Sequence, residues 1–335
     1  MSQHPLESLW YRVSIWHIVL LPLSWLFAAL AYLRRLLYRL GALKSVRLAV
    51  PVIVVGGISV GGSGKTPLVL WLARFLRDNG YRPGIVSRGY GGSASAPCEV
   101  TVDAPASEVG DEPVLLARRS ACPVWVGHDR VAAARRLLAA QPQVDIIIAD
   151  DGLQHHRLQR DVEIVVLDGE RGIGNGFLLP AGPLRERVGR LRQVDAVVVN
   201  GTGGKPFMAG QNSHPMILEG SLFHHLADGR ETAPAESFRG RVVHAVAGIG
   251  NPPRFFRHLE QLGLDITPHA FPDHHVYSLA DLDFPGDAPI LMTEKDAVKC
   301  EKLIPGRCWV LAVDAQLSPA FSAAILGKLH GRKTA

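Results

Sequence analysis

The chain has 335 residues, of which 47% are hydrophobic, so it is long and apolar enough to bury the cores of two domains. Its formal net charge of +5 is modest for this length and does not indicate a nucleic-acid partner. The four cysteines have neither metal-binding spacing nor the density of a disulfide framework, which favours reduced thiols in a cytosolic compartment.

A nearly uncharged apolar run extends from Val13 to Leu33, and as a helix it would span about 31 Å, close to the hydrocarbon thickness of a bilayer. Interface-type aromatic residues flank the run, and a collar of basic residues follows it at Arg34, Arg35, Arg39, Lys44 and Arg47. This pattern predicts a membrane-associated helix, anionic lipid headgroups as partners, and a cytoplasmic location for the rest of the chain. A signal peptide and a buried core helix are the alternatives, and the pattern leaves open whether the helix spans the bilayer or lies in its interface.

A strand, a glycine-rich turn and a helix follow one another from residue 52 onward. Val52–Val55 is apolar and β-branched, which predicts a buried strand, and helical spacing begins after the turn. In such a turn, backbone N–H groups surround phosphate oxygens, a lysine reaches the β- and γ-phosphates, and a threonine hydroxyl can ligate Mg²⁺. The predicted nucleotide-binding residues are Ser59, Val60, Gly61, Gly62, Ser63, Gly64, Lys65 and Thr66.

The turn departs from the strict phosphate-loop pattern, which has a glycine at the position of Ser59. The alternative to a nucleotide site is an ordinary strand-to-helix turn with a solvated lysine. Because Gly64, Lys65 and Thr66 directly follow a strand and precede a helix, the nucleotide site is the favoured interpretation.

Apolar strands alternate with helical patterns from about residue 48, including the helical patterns Leu68–Asn79 and Asp129–Ala140. Near-continuous apolar strands predict an α/β fold with a doubly wound, mostly parallel sheet and a site at the carboxyl ends of its strands. Together with the glycine-rich turn, this predicts a fold of the P-loop NTPase type. The predicted strands are Val52–Val55, Gly84–Ser87, Val124–Val126, Val144–Ala149, Val162–Leu167 and Ala196–Val199.

Residues 201–240 are rich in Gly, His, Ser and Pro, which predicts a linker or hinge, and a second α/β region follows. Its predicted strands are Val242–Ala247, Ile290–Met292 and Trp309–Val313. We therefore expect a membrane helix in residues 1–40, a core domain in 41–215 and a smaller C-terminal α/β domain in 216–335.

Asp150 and Asp151 follow the predicted strand Val144–Ala149. A carboxylate at the end of a strand beside a phosphate loop is placed to hold Mg²⁺, although Asp-Gly is also an ordinary turn signal. Asp111 and Glu112 open a helical pattern, and their spacing alone favours helix capping over a role as general base or second Mg²⁺ ligand.

Spacing alone also leaves three other candidates open. His274 lies near other His and Asp residues but without a recurring metal-ligand spacing, so a metal site there is disfavoured. Arg130 and Arg185 suit phosphate recognition, yet for each taken singly a surface salt bridge is the favoured interpretation.

Eight motifs occur in an order that resembles the tetraacyldisaccharide 4'-kinase (lipid A 4'-kinase) family, over nearly the whole chain. The Ser59 departure is shared with that family. The motifs are Ser-Val-Gly-Gly-Ser-Gly-Lys-Thr-Pro (59–67), Ser-Arg-Gly-Tyr-Gly (87–91), Gly-Asp-Glu-Pro (110–113), Asp-Asp-Gly-Leu-Gln-His (150–155), Leu-Pro-Ala-Gly-Pro-Leu-Arg-Glu (179–186), Ala-Gly-Ile-Gly-Asn-Pro (247–252), Asp-His-His-Val-Tyr (273–277) and Thr-Glu-Lys-Asp-Ala-Val-Lys (293–299).

The resemblance implies an inner-membrane enzyme that transfers the γ-phosphate of ATP to the 4'-hydroxyl of a tetraacylated glucosamine disaccharide 1-phosphate, giving lipid IVA. It implies two domains whose hinge closes on nucleotide, and no obligate protein partner is evident. Asp111 would be the base, with His274 as its partner, and Lys65 would hold the phosphates. The implied Mg²⁺ ligands are Thr66, Asp150, Asp151 and Glu112, and the implied site arginines are Arg130 and Arg185.

Two other functions are weighed against this one. The first is another membrane-attached P-loop phosphotransferase that acts on a different lipid headgroup. The second is a regulatory GTPase, which usually carries an Asn-Lys-x-Asp motif that this chain lacks, since residues 293–296 read Thr-Glu-Lys-Asp.

Overall fold

A computed structural model describes residues 10–11, 16–201, 212–301, 303 and 306–333. Apart from three short 3₁₀ helices (Val188–Gln193, Ala235–Phe238 and Leu279–Asp281), its regular elements are numbered in chain order. They are α1 (Trp16–Arg39), β1 (Val52–Gly56), α2 (Lys65–Asp78), β2 (Pro83–Ser87), β3 (Cys98–Glu99), α3 (Ala106–Val109), α4 (Asp111–Ser120), β4 (Val124–Val126), α5 (Arg130–Ala140), β5 (Ile146–Asp150), β6 (Val162–Asp168), β7 (Ala196–Asn200), β8 (Ser213–Glu219), β9 (Leu222–His225), β10 (Thr232–Pro234), β11 (Val242–Ala247), α6 (Pro252–Gln261), β12 (Asp265–Ala270), β13 (Ile290–Thr293), α7 (Glu294–Cys300), β14 (Cys308–Leu311), β15 (Asp314–Leu317) and α8 (Pro319–Lys333).

The larger sheet has nine strands in the order β15-β8-β7-β6-β1-β5-β2-β4-β3. The seven inner strands of this sheet are parallel to one another. The two short edge strands, β15 and β3, are antiparallel to their neighbours. The central strands β1, β2 and β5 are buried along their whole length, because helices and loops cover both faces of the sheet. This is the predicted doubly wound, mostly parallel α/β fold, which the structure confirms.

The smaller sheet has six strands in the order β10-β9-β14-β13-β11-β12. Its strands β14, β13, β11 and β12 are parallel, and β9 and β10 extend it with antiparallel pairs. Parallel strands place their carboxyl ends on one edge, and the two sheets therefore each offer such an edge for a site.

The chain passes between the two sheets at two adjacent places. Strand β8 belongs to the larger sheet and β9 to the smaller one, so the first crossing lies at residues 220–221. Strand β14 belongs to the smaller sheet and β15 to the larger one, so the second lies at residues 312–313. A Cβ atom on Gly220 would lie 2.2 Å from the Ala312 carbonyl oxygen, which shows that the two crossings touch.

Residues 201–240 differ from the linker that their composition predicts. Residues 202–211 lie outside the described part of the chain, but β8, β9 and β10 occupy much of the remainder. Strand β8 was missed because it contains Pro215 and only Met216 of its side chains is fully buried, so it lacks a long apolar run. The proposed boundary between residues 215 and 216 falls inside β8, and α8 packs on the larger sheet through Phe321.

We call the larger sheet with the helices and loops that cover it the larger domain, and the smaller sheet with those that cover it the smaller domain. One side of helix α1 lies against the larger domain. His17, Ser24 and Ala28 are buried there, and the Ser24 hydroxyl donates to the Leu178 carbonyl (2.8 Å) and accepts from the Ala181 N–H (3.0 Å). The remaining sides are apolar and exposed, as at Trp25, which is 67% exposed. The segment His17–Arg39 is long and apolar enough to cross a membrane, which is consistent with membrane association.

Candidate active site

The glycine-rich turn lies at the carboxyl edge of the larger sheet, between β1 and α2. Gly61 and Gly64 have φ angles of 99° and 92°, a left-handed conformation that glycine adopts without steric cost. The turn thus delivers the chain into the N-terminus of α2, where unpaired N–H groups and the helix dipole favour an anion. The hydroxyl of Ser63 is buried and has no hydrogen-bond partner among the described residues, so it is free to meet a ligand oxygen.

Both domains hold this turn in place. The Asn200 side-chain amide donates to the Ser63 carbonyl (3.1 Å), and the Val60 N–H donates to the Pro183 carbonyl (2.9 Å). From the smaller domain, Gly250 approaches so closely that a Cβ atom on it would lie 2.0 Å from the backbone nitrogen of Gly62. Sequence reasoning assigned no role to Gly250, whose significance depends on a contact between residues almost 190 positions apart.

Asp151 is held by two cations beside the turn. Lys65 Nζ lies 3.5 Å from its Oδ1 and Arg185 Nη1 lies 3.1 Å from its Oδ2. Burial raises the pKa of Asp151, but Lys65 and Arg185 outweigh burial, so the pKa lies below its usual value and the group is ionised. Asp151 has a φ of 46°, a left-handed backbone conformation that costs free energy in residues other than glycine. Such residues are concentrated at functional sites.

Asp150 is a fully buried carboxylate with different partners. The Ser87 hydroxyl donates to its Oδ2 (3.0 Å), whereas its Oδ1 has no hydrogen-bond partner among the described residues. Burial, together with the negative charges of Glu112 and Asp151, raises the pKa of Asp150 to about 7. A buried carboxylate oxygen without a partner, close to two other carboxylates, is the environment that a divalent cation would stabilise.

These residues fit a Mg²⁺ ion that is shared with phosphate oxygens. Mg²⁺ usually takes one or two carboxylates and fills its other positions with waters and phosphate oxygens, so a protein cage is not needed. Consistent with this, no group of three or more His, Cys, Asp or Glu side chains in the described ranges could hold a metal ion by itself. The unpaired oxygen of Asp150 and the Thr66 hydroxyl at the start of α2 match that requirement, whereas Asp151 is occupied by Lys65 and Arg185.

Arg130 is buried at the start of α5, close to this acidic group. Its Nη1 donates to the His128 carbonyl (3.0 Å), while its Nε atom is buried without a hydrogen-bond partner in the described structure. Burial and the neighbouring Arg88 lower the pKa of Arg130, although Asp151 and Asp150 act in the opposite direction. A buried guanidinium with free hydrogen-bonding capacity beside another arginine is suited to an anionic ligand.

Asp111 and His274 form a direct pair between the two domains. His274 Nδ1 lies 3.1 Å from Asp111 Oδ2 and 3.2 Å from Oδ1, and the Asp111 side chain is 6% exposed. Burial raises the pKa of Asp111, but the hydrogen bond with His274 and the charge of Lys295 more than offset it, so the net shift is downward. Burial lowers the pKa of His274, but the hydrogen bond to Asp111 more than offsets it, so the net shift is upward.

The pair is therefore an ionised carboxylate beside an imidazole that readily takes a proton. His274 has a φ of 60°, so two of the three non-glycine residues with positive φ in the described part of the chain, Asp151 and His274, lie at the site, and Ala121 is the third. Asp111 is not the N-cap residue of α4, because Gly110 occupies that position; its Oδ1 accepts from the first-turn N–H of Glu112 (2.9 Å), and the same carboxylate contacts His274.

Lys295 contacts carboxylates of both domains. Its Nζ atom lies 3.0 Å from Glu112, 3.0 Å from Asp273 and 4.0 Å from Asp111, and its side chain is 13% exposed. Burial lowers the pKa of Lys295, but Glu112, Asp273 and Asp111 raise it well above its usual value. The ammonium group therefore stays charged and offsets part of the negative charge of three carboxylates from two domains. Its motif was recognised in the sequence, but no role was predicted for it.

A cavity of about 430 Å³ lies between the domains and joins these features. Its walls include the turn from Gly62 to Thr66, together with Glu112 and Lys295. On another side Asp168 accepts from Arg254 (2.8 Å) and from Asn251 (3.1 Å), so the smaller domain is tied to the larger one at the cavity's edge. The predicted site residues thus lie at the carboxyl edge of the larger sheet, except for His274, which lies in the loop after β12 that faces this edge.

Comparison with known proteins gives consistent results. The model of a family described as tetraacyldisaccharide-1-P 4'-kinase matches residues 16–330. The tetraacyldisaccharide 4'-kinase of Aromatoleum aromaticum is 54% identical over 332 residues, covering 98% of each chain. That of Dechloromonas aromatica is 55% identical over 318 residues, covering 95% of this chain and 94% of the relative.

A solved structure is also similar. The crystal structure of LpxK from Aquifex aeolicus in complex with ATP superposes with a TM-score of 0.79 at 32% sequence identity. The match covers 94% of this chain and 100% of that chain. Its extent includes both α/β domains and the site between them.

Proposed function

The chain belongs to the tetraacyldisaccharide-1-P 4'-kinase family, and on that premise we propose how its residues divide the reaction. The enzyme carries out ATP-dependent phosphorylation of the 4' position of a tetraacylated disaccharide 1-phosphate in lipid A biosynthesis. The observation that carries our assignment is the Asp111–His274 pair, since both residues contact Lys295, which lines the same cavity as the phosphate-binding turn.

The turn from Ser59 to Thr66 holds the triphosphate of ATP in this proposal. Backbone N–H groups and the N-terminus of α2 surround the phosphate oxygens, and Lys65 leaves Asp151 to contact the β- and γ-phosphates. Arg185, which shares Asp151 with Lys65, and the buried Arg130 face negative charge on the γ-phosphoryl group or on the lipid headgroup. Phosphoryl transfer depends mainly on such positioning and charge neutralisation.

Asp111 acts as the general base. The oxygen of the 4'-hydroxyl forms a bond to the γ-phosphorus, the bond from that phosphorus to the β–γ bridging oxygen breaks, and the hydroxyl proton passes to Asp111. A sugar hydroxyl is a weak acid, so a carboxylate within hydrogen-bond reach assists its ionisation. His274 orients the carboxylate and, as an imidazolium, stabilises its charged form.

Mg²⁺ is the divalent cofactor in this proposal, held by Thr66 and Asp150, with Glu112 and Asp151 as further candidates. When bound, it neutralises charge on the β- and γ-phosphates. Asp150 is the best-supported carboxylate ligand, since it alone of the three offers a buried oxygen without a partner.

Helix α1 attaches the enzyme to the inner membrane, with both α/β domains on the cytoplasmic side where ATP is found. The exposed apolar residues of α1 support this attachment, and the basic residues after it favour anionic headgroups on that side. Because one side of α1 packs on the larger domain through Ser24 and Ala28, the helix lies along the interface in our proposal. The lipid acceptor then reaches the site without leaving the bilayer.

The experiment that tests these assignments combines the purified chain, ATP, Mg²⁺ and the tetraacylated disaccharide 1-phosphate in detergent micelles. Phosphorus NMR of the product is expected to show a new phosphomonoester at the 4' position. A product phosphorylated at another position, or turnover with GTP preferred over ATP, would contradict the proposal and favour a different P-loop phosphotransferase or a GTPase.

A further inference from the structure

A second cavity, of about 320 Å³, lies at the C-terminal end of α1. Four arginines and one glutamate line it, together with Tyr38 and neutral groups of the loop that precedes β6. The charged lining residues are Arg35, Arg39, Arg160, Arg190 and Glu163. Its volume lies within the range of pockets that bind small molecules or chemical groups, at the lower end.

This cavity is separate from the nucleotide site. Its residues Arg160 and Glu163 lie at the amino end of β6, where Val162 pairs with Ile53 of β1. The phosphate-binding turn follows the opposite end of β1, three residues beyond Ile53. At the usual rise per residue the strand alone separates the cavity from the start of the turn by about 10 Å, and none of the residues that line this cavity lines the cavity beside the turn.

Two of the four arginines are already paired. Arg190 Nη2 lies 2.5 Å from Glu163 and its Nε lies 3.2 Å from Glu186, while Arg160 donates to Glu163 (3.0 Å) and to the His155 carbonyl (2.6 Å). Their charges are thus balanced by Glu163 and Glu186, although the buried Nε of Arg190 makes no hydrogen bond in the described structure, and both side chains are largely buried.

The other two arginines lack a carboxylate. Arg35 donates to the uncharged amide of Gln193 (2.7 Å), and within the described ranges neither Arg35 nor Arg39 forms an ion pair. Because they are four residues apart on α1, their like charges lie on the same side and repel. Burial, and after it the charges of Arg160, Arg35 and other arginines, lowers the pKa of the neighbouring His156 to about 4, so the charges that act on His156 are positive.

We propose that this cavity binds the phosphate group of an anionic lipid headgroup. Planar guanidinium groups bind phosphate through paired hydrogen bonds, and Arg35 and Arg39 are available for it. The lining residue Arg39 directly precedes Leu40, which is 72% exposed at the end of the exposed apolar surface of α1, so a lipid headgroup is better placed to enter than a soluble anion. The inference rests on the proposed membrane attachment of α1.

The test uses the full chain and sedimentation with vesicles of phosphatidylcholine, with and without phosphatidylglycerol. Wild-type protein is expected to bind the anionic vesicles more tightly. Arg35→Lys and Arg39→Lys keep the charge but lose the guanidinium fork, so each is expected to weaken that binding by about tenfold. Arg34→Lys is the matched control, since Arg34 is on the same helix but does not line the cavity, and its binding is expected to be unchanged.

The outcomes separate the possible explanations. Equal binding of the wild type and both cavity variants would overturn the proposal, because diffuse charge alone would then explain the attraction. Wild-type protein that bound neither vesicle would instead contradict the membrane attachment. If inorganic phosphate competes fully with the vesicles, the cavity is a site for free phosphate. If the Arg35→Lys and Arg39→Lys variants have a higher KM than the wild type for the lipid substrate in neutral micelles, the occupant is the substrate's own phosphate. Either result overturns the assignment to a bulk lipid.

Discussion

Replacing Asp111 by asparagine tests the proposed base while preserving the shape of the side chain. The amide can still accept the Glu112 N–H and contact His274, which the carboxylate does at 2.9 Å and 3.1 Å. It cannot take up a proton, and general-base catalysis contributes about 10²- to 10⁴-fold to a rate. We therefore expect kcat to fall by that factor, equivalent to about 3 to 5 kcal/mol of transition-state stabilisation.

The affinity for ATP is expected to change little in this variant, because the nucleotide is held by the turn around Lys65. Glu112→Gln is the matched comparison, since it neutralises the next residue and is expected to change chiefly the Mg²⁺ dependence. Asp111 raises the pKa of His274, so Asp111→Asn is also expected to lower that pKa, measured by NMR of the imidazole. A fall in kcat of less than tenfold, or equal losses of kcat and ATP affinity, would refute the assignment of Asp111 as base.

Three further predictions test the remaining parts of the account. Lys65→Ala is expected to abolish turnover, and near-normal activity in the kinase assay would contradict its role at the β- and γ-phosphates. Lys295 helps to hold the pKa of Asp111 below its usual value, so Lys295→Met is expected to raise that pKa and move the acidic limb of the pH–rate profile to higher pH. Lys328→Met, which removes a surface pair with Asp195, should leave that profile in place. Deletion of residues 1–40 is expected to release protein from membranes, and unchanged sedimentation would show that the remaining body has its own membrane surface.

The larger sheet was predictable because its strands carry a local signal. Strands such as Val52–Gly56 and Ile146–Asp150 are buried on both faces, so they appear in the sequence as continuous apolar runs. Strand Asp265–Ala270 was missed because it is largely exposed and contains Pro268, and Asp314–Leu317 was missed because its place in the larger sheet follows from the path of the whole chain.

The site residues also differ in whether the local sequence predicts them. Lys65 and Asp150 could be found from local pattern, because a turn or a strand end next to them defines their place. Asp111 could not, since its partner His274 is 163 residues away and its spacing resembles ordinary helix capping. Only the family resemblance pointed to that pair. The bridging position of Lys295 depends on the packing of two domains, for which no local sequence signal exists.

The most direct test of the account is a crystal structure with a non-hydrolysable ATP analogue, Mg²⁺ and the disaccharide 1-phosphate bound. We expect the γ-phosphate against the turn from Gly61 to Thr66 and the acceptor 4'-hydroxyl about 2.6–3.2 Å from the Asp111 carboxylate. A nucleotide bound in a different cleft, or a 4'-hydroxyl held by another base while Asp111 contacts only His274 and Lys295, would contradict it.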